Sequence, residues 1–299
     1  MRQTQLTIII LSFNTKELTL RAVKSCLTNP YEDLQVVVVD NHSSDGTVDA
    51  LLVQEKHEQR LRVLARDVND GFARGNNVAL REVKTPYAML LNSDAYIDTA
   101  SDVGILVSFM EDNPHVGLVT PHVVLTSGST DPASHRGFPT PWNAFTYYSG
   151  LEKLTKHSRL FGGYHQTWKD INEVHEVAAC TGAAMLIRTT AMHQVGFLDE
   201  QFFMYGEDLD WCYRFEEKGW KVVFHPSVIV HHDKHTSGMK KTHRVSAPPE
   251  HHAIQKKSRD AFYDAMKLFY KKHYSSYYPG FIQTLTFVGI DLIRKMKRH

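Results

Sequence analysis

Three acidic residues within four positions, Glu207, Asp208 and Asp210, follow the aromatic run Phe202-Phe203-Met204-Tyr205. If a helix begins at Glu207, its dipole favours acids in the first turn and accounts for one or two of them. Three beside an aromatic wall point to a base that takes a proton from a bound hydroxyl. On such a helix Asp208 and Asp210 lie about 200° apart, so they cannot both face that hydroxyl; Glu207 and Asp208 are about 100° apart, and either can reach it. A further carboxylate, Asp94, follows the apolar pair Leu90-Leu91 through Asn92 and Ser93. Alone it reads equally as a turn or a cap, but at a strand tip it suits a hard divalent cation, which takes one or two carboxylates and completes its shell with phosphates and water. His231 and His232 end the apolar run Val228-Ile229-Val230, from where a neutral imidazole can reach the same ion.

Two more polar loops carry ligand chemistry. Val39-Asp40-Asn41-His42-Ser43-Ser44-Asp45-Gly46-Thr47 ends an apolar run. Asp45 or Thr47 there serves as a helix cap, but capping does not call for Asp40, a pure acceptor able to take the ring N–H of a uracil or thymine. In Asn69-Asp70-Gly71-Phe72-Ala73-Arg74-Gly75-Asn76-Asn77, two glycines allow close backbone approach and Arg74 can neutralise phosphate; a plain turn is the competing reading.

These loops must be positioned by the elements before them. Leu6–Leu11, Leu34–Val39, Leu61–Leu64 and Tyr87–Leu91 are apolar runs of strand length. Leu18, Ala22 and Cys26 recur at helical spacing between the first two, and a short helix fits 77–83. The alternation predicts an α/β fold, a doubly wound, mostly parallel sheet with helices on both faces, whose ligands bind beyond the carboxyl ends of the strands. The stretch 126–173 has no sustained period and reads as a variable loop or subdomain. A strand is expected over 177–187, a helix over 207–218, a strand over 222–225, and two terminal helices over about 251–272 and 279–297.

At 299 residues and 42% hydrophobic content the chain can bury one large core without disulfides. Three scattered cysteines, Cys26, Cys180 and Cys212, offer no thiolate metal spacing and fit a reducing cytoplasm. Residues 240–299 carry 13 Lys and Arg against 4 acids, a balance of +9, which leaves −8 on the first 239. That split predicts a catalytic body (1–239) and a basic helical extension (240–299). Phe281, Leu285, Val288, Leu292 and Met296 follow helical spacing, with Arg294, Lys295, Lys297 and Arg298 at the end. Such a helix can lie on an anionic membrane surface, pack on the body, or join a second copy as a homodimer.

Together the segments Ile9–Asn14, Val38–Thr47, Asn69–Asn77, Leu90–Asp94, Cys180–Ile187, Val195–Asp210 and Pro226–Ser237 resemble the family 2 glycosyltransferases of GT-A fold, especially the rhamnosyltransferase-like branch. The likeness spans roughly Leu6 to Ser237. It implies nucleotide-sugar binding by about 1–125 and acceptor binding and catalysis by about 174–239. It further implies an inverting transfer with Asp208, or its neighbour Glu207, as the base that activates the acceptor. Mg²⁺ or Mn²⁺ would be held by Asp94 and His232, and the donor contacted by Ser12, Asn14, Asp40, Asn41, Gly71, Arg74, Asn76, Asn92 and Ser93. Asn92 departs from the family's usual aspartate pair and leaves Asp94 alone in that motif. The expected donor is dTDP-rhamnose, with UDP-hexose or UDP-galactofuranose as alternatives. The expected acceptor is a glycan or lipid-linked glycan of bacterial surface polysaccharide, handled at the inner face of the plasma membrane, with no nucleic-acid partner. A nucleotidyltransferase would need a Gly- and Arg/Lys-rich loop after the first strand, which Ser12-Phe13-Asn14-Thr15 does not supply. A sugar-nucleotide or polyanion binding protein would not need the acid cluster.

Overall fold

Apolar runs that are buried on both faces make strands without polar alternation, and β1 (Leu6–Ser12), β2 (Leu34–Asp40) and β4 (Tyr87–Asn92) are such runs. The computed structural model describes residues 4–155, 157–234 and 249–296, except the side chains of 249–259. Between these strands lie α1 (Lys16–Leu27), α2 (Thr47–Glu55), β3 (Leu61–Ala65) and α3 (Phe72–Leu80). Then come β5 (Ala95–Ile97), α4 (Gly104–Asp112), β6 (Val116–Leu125), α5 (Pro141–Tyr148) and α6 (Leu151–Leu154). The chain continues through β7 (His175–Glu176), β8 (Ala184–Arg188), α7 (Thr189–Val195), α8 (Glu207–Glu217) and β9 (Lys221–His232), and closes with α9 (Pro249–His273) and α10 (Gly280–Met296).

Among the described residues one mixed sheet runs β3-β2-β1-β4-β8-β6-β9-β5, with β7 also on β9. Pairing is parallel from β3 to β4 and between β6 and β9, and antiparallel where β8 joins β4 and β6. The two-residue side-chain period splits each strand between two cores. Ile9, Val37 and Leu90 face one that includes α3 and α8. Ile8, Ile10, Val36, Val38 and Met89 face the other, with Ala22 and Cys26 of α1 and Leu106 and Met110 of α4. Each such Val, Leu, Ile or Met side chain contributes roughly 1.5–3 kcal/mol when fully buried. The parallel register sets Ser12 beside Asp40 and Leu11 beside Asn92, so the polar strand tips end level.

Three elements differ from the sequence expectation. The helix expected over 77–83 begins at Phe72, because Gly71 caps it at φ +102 and Asn77 is buried with its amide donating to Leu198 O at 2.9 Å. A Cβ on Gly71 would stand 2.2 Å from Phe203 O, so only glycine fits there. The strand expected over 177–187 begins at Ala184. The residues before it leave the sheet because Ala179 exchanges two backbone hydrogen bonds with Arg136 instead. The strand expected over 222–225 runs on to His232 as β9, past Pro226, with a register break against β6 between Pro121 and His122. The basic linker 240–248, Ser237, Lys297 and Arg298 lie outside the described residues. Helix α9 and the turn after it bury Phe269, Tyr270 and Tyr274 in the same core as α8.

Candidate functional site

At the carboxyl ends of β1, β2 and β4 opens a cavity of about 1300 Å³. Its polar wall contains Ser12, Asn41, Gly71, Asn92, Ser93, Asp94, Arg136, Glu207, Asp208 and His232. The antiparallel pairing of β5 with β9 sets Ala95 opposite His232, which brings Asp94 against the imidazole. His232 Nε2 lies 3.2 Å from Asp94 Oδ1 and is buried without an aligned hydrogen bond. Its Nδ1 lies 3.1 Å from Asp131 Oδ2, and Lys234 Nζ donates to Asp131 Oδ1 at 2.7 Å. Burial alone would lower the His232 pKa, but the two carboxylates outweigh it and raise it to about 9. Asp131 is fully buried; burial opposes its ionisation, and His232 and Lys234 still hold its carboxyl well below the usual range. A carboxylate on one ring nitrogen with the other ring nitrogen turned to a second carboxylate is how a histidine is oriented toward a metal. The raised pKa leaves His232 protonated at neutral pH, so a divalent cation held by Asp94 and His232 would have to displace the Nε2 proton; the described residues contain no group of three metal-ligating side chains.

Gly206, at φ +84, caps α8, and the acids occupy its first turn. Asp208 Oδ2 accepts from Arg136 Nη2 at 2.8 Å, and Asp208 Oδ1 accepts from the Leu209 N–H at 2.7 Å. Burial opposes the charge on Arg136, and the Asp208 carboxylate more than restores it. Glu207 is buried, its Oε2 has no hydrogen-bond partner, and burial together with the Asp208 charge raises its pKa to about 8. At neutral pH Glu207 thus holds its proton. Asp210 turns away, as the helical angle requires: its carboxylate accepts from Arg214 Nε and His273 Nε2, both at 2.8 Å, and from Lys272 Nζ at 2.7 Å. It ties α8 to α9.

Of the expected donor residues, Ser12, Asn41, Gly71, Asn92 and Ser93 line the cavity. Asp40, Asn14, Arg74 and Asn76 do not. Asp40 is fully buried and accepts from the Ser43 N–H and hydroxyl, at 2.7 and 2.6 Å. Asn14 receives the Ser44 N–H at 2.8 Å, and Asn76 donates to Phe72 O at 3.0 Å. Arg74 is half exposed, 3.8 Å from Glu200. These four shape the loops behind the wall. Asp131 and Arg136 were missed because they lie in the stretch without periodicity; an acid and an arginine flanking a proline-containing turn were the available signal. Cys180 and Cys212, far apart in sequence, meet in the core with sulfurs 3.7 Å apart as free thiols.

The sheet, with its carboxyl-end cavity, is that of a GT-A glycosyltransferase. Structures of that type cover most of the chain: GalNAc-T7 with UDP, GalNAc and Mn²⁺ (TM-score 0.60, 14% identity, 90% of this chain and 50% of that one) and S. aureus TarS 1-349 with UDP-GlcNAc (TM-score 0.53, 16% identity, 89% and 65%). The model of glycosyl transferase family 2 matches residues 7–183 and that of glycosyl transferase family group 2 matches 103–296, and the chain belongs to glycosyl transferase family 2. N-acetylglucosaminyl-diphospho-decaprenol L-rhamnosyltransferase of Mycobacterium tuberculosis is 25% identical over 217 residues, 69% of this chain and 68% of that protein. Low-salt glycan biosynthesis hexosyltransferase Agl10 of Haloferax volcanii is 25% identical over 213 residues, 70% and 61%.

Proposed function

We propose that this chain transfers a sugar, rhamnose from dTDP-rhamnose in the first place, to a lipid-linked glycan in bacterial surface polysaccharide synthesis, with inversion at the anomeric carbon. The observation that carries this is the single cavity whose wall holds both the Asp94–His232 pair and the Glu207–Asp208 pair at the strand tips. The rhamnosyl donor and the lipid-linked acceptor are suggested by the name of the mycobacterial relative.

Ser12, Asn41, Asn92 and Ser93 supply hydrogen-bonding groups to the nucleotide end of the donor. A divalent ion held by Asp94 and His232, with Asp131 fixing the imidazole, would supply Lewis-acid stabilisation of charge on the leaving diphosphate. Asp208 takes the proton from the acceptor hydroxyl as its oxygen attacks the anomeric carbon from the face opposite the nucleotide; one displacement inverts that centre. Burial and the neighbouring Asp208 charge disfavour the charged form of Glu207, which supports Asp208 over Glu207 as the base. Arg136 fixes the Asp208 carboxylate. Docking of α10 on the inner membrane face would bring a lipid-linked acceptor to the site; among the described residues no helix is long and apolar enough to cross a membrane.

The test is release of nucleoside diphosphate from dTDP-rhamnose, UDP-glucose and UDP-galactofuranose with Mn²⁺ or Mg²⁺. Slow release from one donor, abolished by EDTA and restored by metal, is expected. Full turnover in chelator would overturn the metal assignment, and no release from any donor would leave a binding protein.

A further inference from the structure

The cavity has a second limb whose chemistry differs from its polar wall. Where it meets the helices it is lined by Phe145 and Tyr148 of α5, Phe262 and Met266 of α9, and Leu285 and Ile293 of α10. A sugar chain placed there would lose water from its hydroxyls and find few polar partners. Phe145 of α5 and Leu285 of α10 line the limb yet are 55% and 64% exposed, so the limb reaches solvent at these two helices. Gly289 also lines it, from inside a 17-residue helix. Glycine weakens a helix interior, and here a Cβ would meet nothing within 4 Å, so its absent side chain is open limb.

We infer that this limb between α5, α9 and α10 seats the hydrocarbon chain of the acceptor's carrier lipid, a prenyl chain joined to the glycan through phosphate. The inference rests on the glycosyltransferase reading above and adds to it where the lipid lies. An apolar channel continuous with the base at one end and open between exposed apolar side chains at the other suits a ligand with a polar head that reacts and a long tail that leaves the protein. The first prenyl units lie in the limb and the remainder emerges between Phe145 and Leu285.

Isothermal titration with dimethylallyl, geranyl and farnesyl diphosphates, in the presence of saturating UDP and Mn²⁺, tests this. Affinity is expected to rise at least about tenfold from one to three isoprene units as more apolar surface is buried. Gly289→Leu, which fills the limb, and Ile293→Gln, which makes it polar, should each flatten that series while UDP binding stays unchanged. A flat series in the wild type, or an undiminished rise in both variants, would overturn the assignment. Failure of the wild type to bind dTDP and UDP alike with Mn²⁺ would instead sink the glycosyltransferase reading, and the same series run without nucleotide would still decide the limb.

Discussion

Asp208, the base proposed above, sits in an unusual setting for that role, since Arg136 holds its carboxylate at 2.8 Å. The guanidinium fixes the direction in which the carboxylate points. Asp208→Asn should cut turnover by about 10²–10⁴-fold with donor affinity nearly unchanged, measured by steady-state kinetics beside nucleotide titration; loss of donor binding would make the residue structural. Asp131 is the other decisive side chain. Asp131→Asn keeps the shape but removes the charge behind His232, and should weaken Mn²⁺ affinity by about 10–100-fold, read by electron paramagnetic resonance. Unchanged Mn²⁺ affinity would show that His232 needs no orienting carboxylate. Neither Asp131 nor Arg136 was legible in the sequence. Each is defined by a partner far along the chain, 101 residues away for Asp131 and 72 for Arg136, and no local period marks such a pairing. Asp94, Asp208 and His232 were legible because each sits where an apolar or aromatic run ends.

At the scale of elements, β1, β2 and β4 were readable because both faces are buried and their apolar runs are unbroken. α8 was readable because a glycine, three first-turn acids and an apolar stripe agree. The start of α3 and the break before β8 were not, since both are set by contacts with remote loops: Gly71 with Phe203, and Ala179 with Arg136. The attachment of α9 hangs on one buried carboxylate, Asp210, which answers Arg214, Lys272 and His273. Asp210→Ala would strand these donors and should destabilise the fold by about 3–5 kcal/mol, measured by denaturant unfolding, with hydrogen exchange rising in α9. A change below about 1 kcal/mol would mean that the aromatic contacts of α9 hold it unaided.

For the whole molecule, the +9 balance of the last 60 residues and the exposed apolar stripe of α10 bear on the membrane together. Val288 and Leu292 are 51% and 54% exposed and stand outside the cavity wall, so they can be changed without touching the site. Val288→Glu with Leu292→Glu should lower flotation with anionic vesicles by about tenfold or more while donor hydrolysis persists; flotation equal to wild type would leave α10 as a helix facing solvent or another copy. Removal of the tail is a poorer test, because α9 is part of the core. The ribbon between β6 and α5 has a consequence for how such an enzyme diversifies. It supplies Asp131 behind His232 and Arg136 beside Asp208, and a few residues later it lines the cavity with Pro139 and Pro141. Substrate choice and chemical competence are thus written on one strip of chain, in separate stretches. On the proposed reading, a lineage can rewrite the residues after Pro139 to accept a different carrier lipid, provided the two anchors before it stay in place.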